Sequence, residues 1–319
     1  MSKVAIARTN NLSHAEWLKL RKCGIGGSDA AAVCGMNRWR GPLDVYLDKT
    51  TDSAATEDNE SMYWGRVMEP VLRNEFAKRS GLEVKEVPYM FSCQEYPFMI
   101  ANIDGIVREQ DGSTSLLEIK TANGFAASDW DNGLPPEYYI QVQHYLAVVD
   151  LKKAYVAVLI GGNRFKCFPI DRDEETIRTI IAMESTFWQE HILSKTPPKV
   201  DATSSAALDA MYPTSNKTSV ILPEEADLLI SNLQEIKNLE EQLKLSKVEA
   251  ENELKSMMKE AECAKTPSGY SIRWKSSTSS RLDTTRLKSE APDLVAKYTK
   301  VSNYRRFTIT APKPSKGEK

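Results

Sequence analysis

Ser115-Leu116-Leu117-Glu118-Ile119-Lys120 is the stretch that decides the fold. Side chains alternate along an extended chain, so Glu118 and Lys120 project to one face while Leu117 and Ile119 take the other. Before it runs Phe98-Met99-Ile100-Ala101-Asn102-Ile103-Asp104-Gly105-Ile106, a largely apolar strand that ends on a carboxylate. Asp111-Gly112 marks a tight turn between the two strands, and a hairpin through it sets Asp104 beside Glu118. Two carboxylates that close repel strongly unless a cation sits between them. Oxygen ligands of this hardness suit Mg²⁺ or Mn²⁺.

Working outward, Ser61–Ser80 has a helical period in which Gly65, Leu72 and Phe76 share one stripe, while Arg66, Arg73 and Lys78 fall elsewhere. Glu69 lies on that inward stripe. An unpaired buried charge costs several kcal/mol, so Glu69 needs a partner, either a metal or Lys120. Further upstream, Leu12–Lys22 reads as a helix with Ser13 as N-cap. Gly24-Ile25-Gly26-Gly27 breaks the chain, and Ser28-Asp29 start a short helix closed by Gly35. Leu43–Asp48 looks helical, and Thr50–Glu60 is polar enough to be mobile. Strands are expected at Glu83–Phe91, Phe98–Val107 and Ser115–Lys120. Downstream come a helix at Tyr138–Val149, a hairpin of Ala154–Ile160 and Arg164–Ile170 around Gly161-Gly162-Asn163, and an amphipathic helix at Asp173–Leu193 with Ile177, Ile181 and Trp188 inward. The class is α/β (α+β), a central mixed sheet flanked by helices.

The 319 residues are 41 % apolar and 27 % charged, enough for a real core in a soluble chain. No apolar run of 18 residues is present, so no membrane span is expected, and the first residues lack the pattern of a signal peptide. Five cysteines are scattered without a Cys-x-x-Cys pair, which points to reduced thiols in a cytoplasmic protein and away from zinc or iron–sulfur sites. Net charge is −2, unevenly spread: Pro223–Glu262 holds eleven acidic and five basic residues, and Cys263–Lys319 thirteen basic and four acidic. A basic tail hints at a polyanion partner.

The expected division is a core domain over 1–195, a Ser/Thr/Pro-rich linker over 196–222 and an accessory region over 223–319. Pro223 opens a helix of about forty residues. Its apolar stripe (Leu229, Leu233, Ile236, Leu243, Ala250, Leu254, Met257) is interrupted at Glu240 and Lys247, which argues against a free-standing coiled coil. The helix is expected to dock on aromatic strands around Trp274 and Phe307, beside a small α+β unit. Arg273-Trp274-Lys275 and Tyr304-Arg305-Arg306-Phe307 fit DNA contact and strand packing equally.

A Glu-x-Lys strand or an Asp-Gly pair alone is an ordinary solvent face or turn. An inward Glu on a helix, then Asp-Gly on a strand, then Glu-x-Lys after a hairpin is a different matter. In that order the sequence resembles the PD-(D/E)xK nuclease superfamily, and within it the YqaJ-type viral recombinases to which lambda exonuclease belongs. The matching pieces are Gly24-Ile25-Gly26-Gly27-Ser28-Asp29, Trp64-Gly65-Arg66-Val67-Met68-Glu69, Ile103-Asp104-Gly105, Leu117-Glu118-Ile119-Lys120 and Gln141-Val142-Gln143-His144-Tyr145, spread over residues 15–193. The resemblance implies a restriction-endonuclease-like core and a Mg²⁺-dependent exonuclease, with Mn²⁺ able to substitute, using two ions on linear double-stranded DNA. It makes Glu69, Asp104, Glu118 and the Ile119 carbonyl metal ligands, and gives Lys120 the task of orienting or deprotonating the attacking water. Gln141 and Tyr145 match its Gln-x-x-x-Tyr element, while Gln143 aligns with a glutamine of the DNA-end pocket, leaving open which glutamine matters more. A 5′-phosphate is expected near Ser28, with Arg21, or failing it Lys22, as the cation; Trp39 and Arg40 either grip a DNA end or, for Trp39, belong to the core. The resemblance further implies a homo-oligomer, a trimeric ring, and a single-strand annealing protein as partner. The competing readings are an endonuclease or repair nuclease with the same metal core, and a DNA-binding assembly protein. The three histidines carry little weight.

Overall fold

The computed structural model describes residues 2–51 and 59–310, so the stretch read as mobile, Thr50–Glu60, lies outside the described residues over 52–58. The chain forms two compact units, Met1–Met211 and Tyr212–Lys319. In chain order the first carries β1 (Lys3–Arg8), α1 (His14–Lys22), α2 (Gly27–Val33), α3 (Pro42–Thr50), α4 (Glu60–Ser80), β2 (Glu83–Lys85), β3 (Tyr89–Cys93), β4 (Ile100–Asn102), β5 (Gly105–Arg108), β6 (Thr114–Ala122), α5 (Pro136–Val149), β7 (Lys153–Ile160), β8 (Arg164–Asp171), α6 (Glu174–Phe187) and α7 (Ser205–Met211).

Five strands make the main sheet in the order β2-β5-β6-β7-β8. All its pairs are antiparallel except β6–β7, whose parallel pairing needs a crossover, and α5 supplies it. Alternation along β6 then sorts its side chains. Leu117 and Ile119 pack with Leu72 and Phe76 of α4 on one face. Leu116 joins Val142 and Leu146 of α5 and Ile177 and Ile181 of α6 on the other. Glu118 and Lys120 therefore share the α5 side.

The strand expected over Phe98–Val107 is two strands. β4 belongs to a three-stranded sheet, order β1-β3-β4, and β5 to the main sheet. Asp104 stands at the break between them. Gly105 pairs with Leu117 across the β5–β6 hairpin, so Asp104 falls level with Glu118. Gly112 supplies the positive φ of +82° that the turn needs. The strand expected over Glu83–Phe91 is likewise interrupted, at Val87-Pro88, where Pro88 has no N–H to offer a ladder.

The expected linker is partly structured. Asp201 accepts hydrogen bonds from Thr203 and Ser204, and α7 follows with Ala207 buried among Leu43, Val45 and Phe187. The first unit accordingly runs past residue 195 to Met211; a polar composition conceals the small residues that make the contact.

The second unit contains α8 (Glu225–Met258), a short hairpin of β9 (Cys263–Lys265) and β10 (Ser271–Arg273), α9 (Thr284–Glu290) and α10 (Pro292–Tyr298). The expected strand near Ile272 is present. Phe307 lies outside any strand, and it, Trp274 and the stripe of α8 are all exposed, so the helix is not docked on those aromatics.

Candidate active site

Strand β6 delivers Glu118, only 3 % exposed. Its Oε1 accepts from Lys120 Nζ at 2.6 Å and from Gln141 Nε2 at 2.7 Å, while its Oε2 is buried with no partner. Asp104 Oδ2 accepts from the Ile119 backbone N–H at 2.7 Å. Burial, then the neighbouring Asp104 carboxylate, pushes the Glu118 carboxyl up to about 8. Burial also raises Asp104, against the pull of Lys120. Burial works the other way on Lys120, but Glu118 and Asp104 overcome it and hold the ammonium above its usual range. Glu118 and Asp104 thus resist ionising together beside a firmly protonated amine.

Glu69 approaches from α4. Its side-chain partner is Arg73, one turn further along the same helix, and not Lys120. The Arg73 guanidinium, mostly buried, also donates to the Asp104 carbonyl at 2.9 Å and to Glu86 at 3.3 Å. Arg73 thereby ties the helix to the break between the sheets. Burial, then Asp104, raises the Glu69 carboxyl to about 7 in spite of Arg73.

A cavity of about 190 Å³ opens beside Asp104 and Glu118, with Gln141, Tyr145, Arg21 and Ser28 also in its wall; Glu69 and Lys120 do not line it. Arg21 Nη2 donates to Ser28 Oγ at 2.9 Å and rests over the Trp17 ring. Lys22 instead reaches the Thr51 carbonyl at 2.8 Å, so Arg21 is the cation at the cavity. The glycine-rich entry has a packing reason: a Cβ on Gly27 would lie 2.5 Å from the Tyr145 ring and 2.8 Å from Gln141. In α2 the Gly26 N–H is taken by the Asp29 carboxylate at 3.3 Å and the Asp29 N–H by the Gly26 carbonyl. Side chains, more than free backbone donors, thus provide the cationic end.

The two glutamines separate cleanly. Gln141 joins Glu118 and, at 3.3 Å, Tyr145. Gln143 is wholly buried elsewhere, donating to the Asp171 carbonyl at 2.8 Å and accepting the Asp173 N–H at 2.9 Å. It is a brace between α5 and the start of α6, not part of the cavity. Trp39 is 64 % exposed, under Arg38, and not core.

Two residues have roles at the site that the sequence does not signal. Asn102 lines the cavity with a buried Oδ1 that has no partner. Asp29, fully buried, holds three cations: Lys49 at 2.7 Å, Arg40, and Arg21 at 3.4 Å. Together they pull its carboxyl far below the usual range against the cost of burial.

Among the described residues no three carboxylates, histidines or cysteines stand ready to hold a metal. The donors nonetheless fit a hard divalent cation. They are oxygens only, burial raises their carboxyls with repulsion from Asp104 adding to it at Glu118 and Glu69, and Glu118 Oε2 is an orphan that a cation would satisfy.

A carboxylate at a break between sheets, Glu-x-Lys on the next strand and a glutamate on the covering helix define a nuclease of the PD-(D/E)xK class. Residues 16–152 match the model of the YqaJ-like viral recombinase domain. Uncharacterized protein YqaJ of Bacillus subtilis (strain 168) is 36 % identical over 311 residues, spanning 95 % of this chain and 96 % of that one. The chain belongs to the YqaJ-like viral recombinase family. Among solved structures it is similar to LHK-Exo, an alkaline exonuclease from Laribacter hongkongensis, at 25 % identity and a TM-score of 0.48 over 56 % of this chain and 93 % of that one. A phage-related exonuclease from Haemophilus somnus is similar at 13 % identity and a TM-score of 0.43, over 56 % and 99 %.

Proposed function

We propose that this protein is a Mg²⁺-dependent exonuclease that degrades linear double-stranded DNA in the 5′–3′ direction during phage-type recombination. The observation that carries the reading is one cavity with an acidic end, Asp104 and Glu118, and a cationic end, Arg21 bonded to Ser28. A DNA end offers the complement of both, a scissile phosphodiester and a terminal phosphate.

Glu69, Asp104, Glu118 and the Ile119 carbonyl would hold the metal. Two Mg²⁺ ions held by these residues would supply an acidified water and charge neutralisation at the leaving oxygen. Lys120 Nζ, protonated and fixed on Glu118 Oε1, acts first as a donor that orients the nucleophile. Gln141 takes the second lone pair of that oxygen and leaves Oε2 free. Tyr145, its hydroxyl kept un-ionised by burial and by Glu118, donates at the same wall. Arg21 and Ser28 receive the 5′-phosphate by charge-assisted hydrogen bonds.

The same reading extends to a cytoplasmic homo-oligomer, a trimeric ring around the duplex, working with a single-strand annealing protein. No helix among the described residues is long and apolar enough to cross a membrane. The test is digestion of linear and covalently closed circular duplex with Mg²⁺. Degradation of the linear form alone is expected. Nicking of the circle would make the protein an endonuclease, and both forms intact would leave it a DNA-binding assembly protein.

A further inference from the structure

His144 lies on α5 between Gln141 and Tyr145, yet it has no exposed surface and does not line the cavity. Its Nδ1 is 2.8 Å from Oε1 of Glu184 on α6, which is equally buried, and its Nε2 is 2.9 Å from the Ile100 carbonyl of β4. A carbonyl oxygen can only accept, so Nε2 carries a proton. Nδ1 then either donates to a Glu184 carboxylate or accepts from a Glu184 carboxyl. Both arrangements hold the same two protons, are neutral as a pair and keep the Ile100 bond. Glu184 thereby fixes the ring in the tautomer that grips Ile100. Removing two ionisable groups from water costs several kcal/mol, and an apolar pair of similar size is often as stable or more so. Stability alone therefore gives no reason for this pair.

The residue it grips is a junction. Ile100 donates its N–H to the Ile25 carbonyl at 2.9 Å, and Ile25 donates its own to the Phe98 carbonyl at 2.6 Å. Ile25 and Met99 form a parallel bridge outside the two sheets. Gly24 completes the fit, since a Cβ there would come within 2.7 Å of the Phe98 carbonyl oxygen and 2.8 Å of the Ile100 side chain. Phe98 in turn stacks on Trp188, just after α6, with ring centroids 5.8 Å apart. Ile100 is thus held by both backbone groups, His144 on its carbonyl and Ile25 on its N–H. From Ile25 the chain runs directly into Gly26, Gly27 and Ser28, and from Ile100 into Asn102 and Asp104, all in the cavity wall. The link between Ile25 and Ile100 therefore joins the cationic end of the cavity, where Ser28 meets Arg21, to the acidic end at Asp104.

We propose, on the reading of the cavity as the seat of a DNA end, that His144 and Glu184 are positioning residues for its cationic half. By fixing the Ile100 carbonyl they set where Ser28 and Arg21 stand relative to Asp104, and so how well a terminal phosphate fits while the scissile bond lies at the carboxylates. They touch neither DNA nor metal. Charge-assisted hydrogen bonds to a phosphate depend steeply on distance and angle, so a small shift of the Ile25–Ser28 segment is felt as lost affinity for the phosphate.

The test measures binding of short duplexes with 5′-phosphate or 5′-hydroxyl ends by fluorescence anisotropy, with a chelator present so that no hydrolysis contributes. The proteins are the full-length wild type, E184Q and H144L/E184L, each with its unfolding curve. A glutamine amide can donate to Nδ1 and leave the Nε2–H on Ile100, so E184Q should keep the wild-type preference for the phosphorylated end. H144L/E184L removes the grip without stranding a buried charge. Its preference should fall roughly fivefold or more, the scale of a misplaced binding group, with cooperative unfolding retained. A purely structural role predicts the reverse, altered stability with the preference intact. A folded H144L/E184L with the wild-type preference overturns the proposal. So does a folded E184Q that loses the preference, and that arm holds even where the double variant does not fold. Both outcomes leave the DNA-end reading standing. A wild type that binds the two ends equally overturns that reading, and the positioning role with it.

Discussion

Asp29→Asn removes one negative charge from a site that holds three positive ones. The Asp29 carboxylate and the Lys49 ammonium, 2.7 Å apart, are both without exposure. Arg40 and Arg21 add two guanidinium groups that are about 30 % exposed. Once the charge is gone, Lys49 keeps only the Arg21 carbonyl at 2.8 Å and Asp48 at 3.6 Å, and Asp48 is 43 % exposed. Breaking a buried pair from one side costs about 3–5 kcal/mol. The residual pull of Asp48 places Asp29→Asn near the lower end, about 3 kcal/mol, or roughly 6–12 °C in Tm for a unit of this size. Denaturant unfolding of the full chain measures it, and Lys49→Met in the same chain should recover most of the loss, because no buried ammonium is then stranded. The pH dependence has a definite sign. Asp29 is held below its unfolded value of about 3.9, so its stabilisation is complete above that pH and drains as the pH falls. The gap between wild type and Asp29→Asn should therefore be constant above about pH 5 and narrow from about pH 4 downward. A loss under about 1 kcal/mol at neutral pH, or a gap that widens in acid, would refute the assignment of Asp29 as the anchor of these cations.

Asp104→Ala and Glu118→Ala should abolish hydrolysis with the fold and DNA binding kept, and Lys120→Ala should be nearly as severe; a tenth of wild-type turnover in Asp104→Ala would remove Asp104 from the metal set. The wild type should cleave 5′-phosphorylated ends faster than 5′-hydroxyl ends by the equivalent of about 1–3 kcal/mol, and Arg21→Ala should erase the preference; equal wild-type rates on both substrates would leave Arg21 without that task. Gln141→Leu should lower turnover with little change in stability, whereas Gln143→Leu should cost about 1–3 kcal/mol by orphaning two backbone groups and leave turnover per folded molecule intact; the opposite pattern, read from unfolding curves beside kinetics, would reverse their roles.

How much of this was legible in the sequence depends on the range of each contact. The period of two along Ser115–Lys120 and the Asp111-Gly112 turn are local, and they put Asp104, Glu118 and Lys120 together. Ser13 was equally readable as an N-cap, and in the structure its hydroxyl and Glu16 form a capping box. Arg73 had a local signal that stripe analysis overrode: Glu69 and Arg73 are four apart, an ion-pair spacing, but the helical wheel placed the arginine outside the stripe. Its long side chain reaches inward all the same. Asp29 had no such signal, because Arg40 and Lys49 come from different elements, 11 and 20 residues away. Strand β1 was missed for the same reason, since its partner β3 lies some eighty residues on. Gln143 looked like a site residue because a motif records adjacency in the chain, and two positions on a helix are about 200° apart.

The two charge clusters explain each other. Arg21, Arg40 and Lys49 exceed Asp29 and Asp48 by one positive charge. With all three ionised, Glu69, Asp104 and Glu118 would exceed Arg73 and Lys120 by one negative charge, a state that their raised carboxyls resist until a cation joins them. In each cluster the contacting residues pair with one another and leave one formal charge over. Arg21 and Ser28 bring the first to the cavity wall, and Asp104 and Glu118 bring the second. A protein built only for stability would close both deficits, since a half-neutralised buried cluster costs more than a neutral one. Here the missing charges have opposite signs and face the same space. An anionic phosphate at one end and a divalent cation at the other would complete both clusters in a single complex. That geometry requires the chain to pass from one sheet to another at Asp104 and a glycine at position 27 to let α2 approach α5.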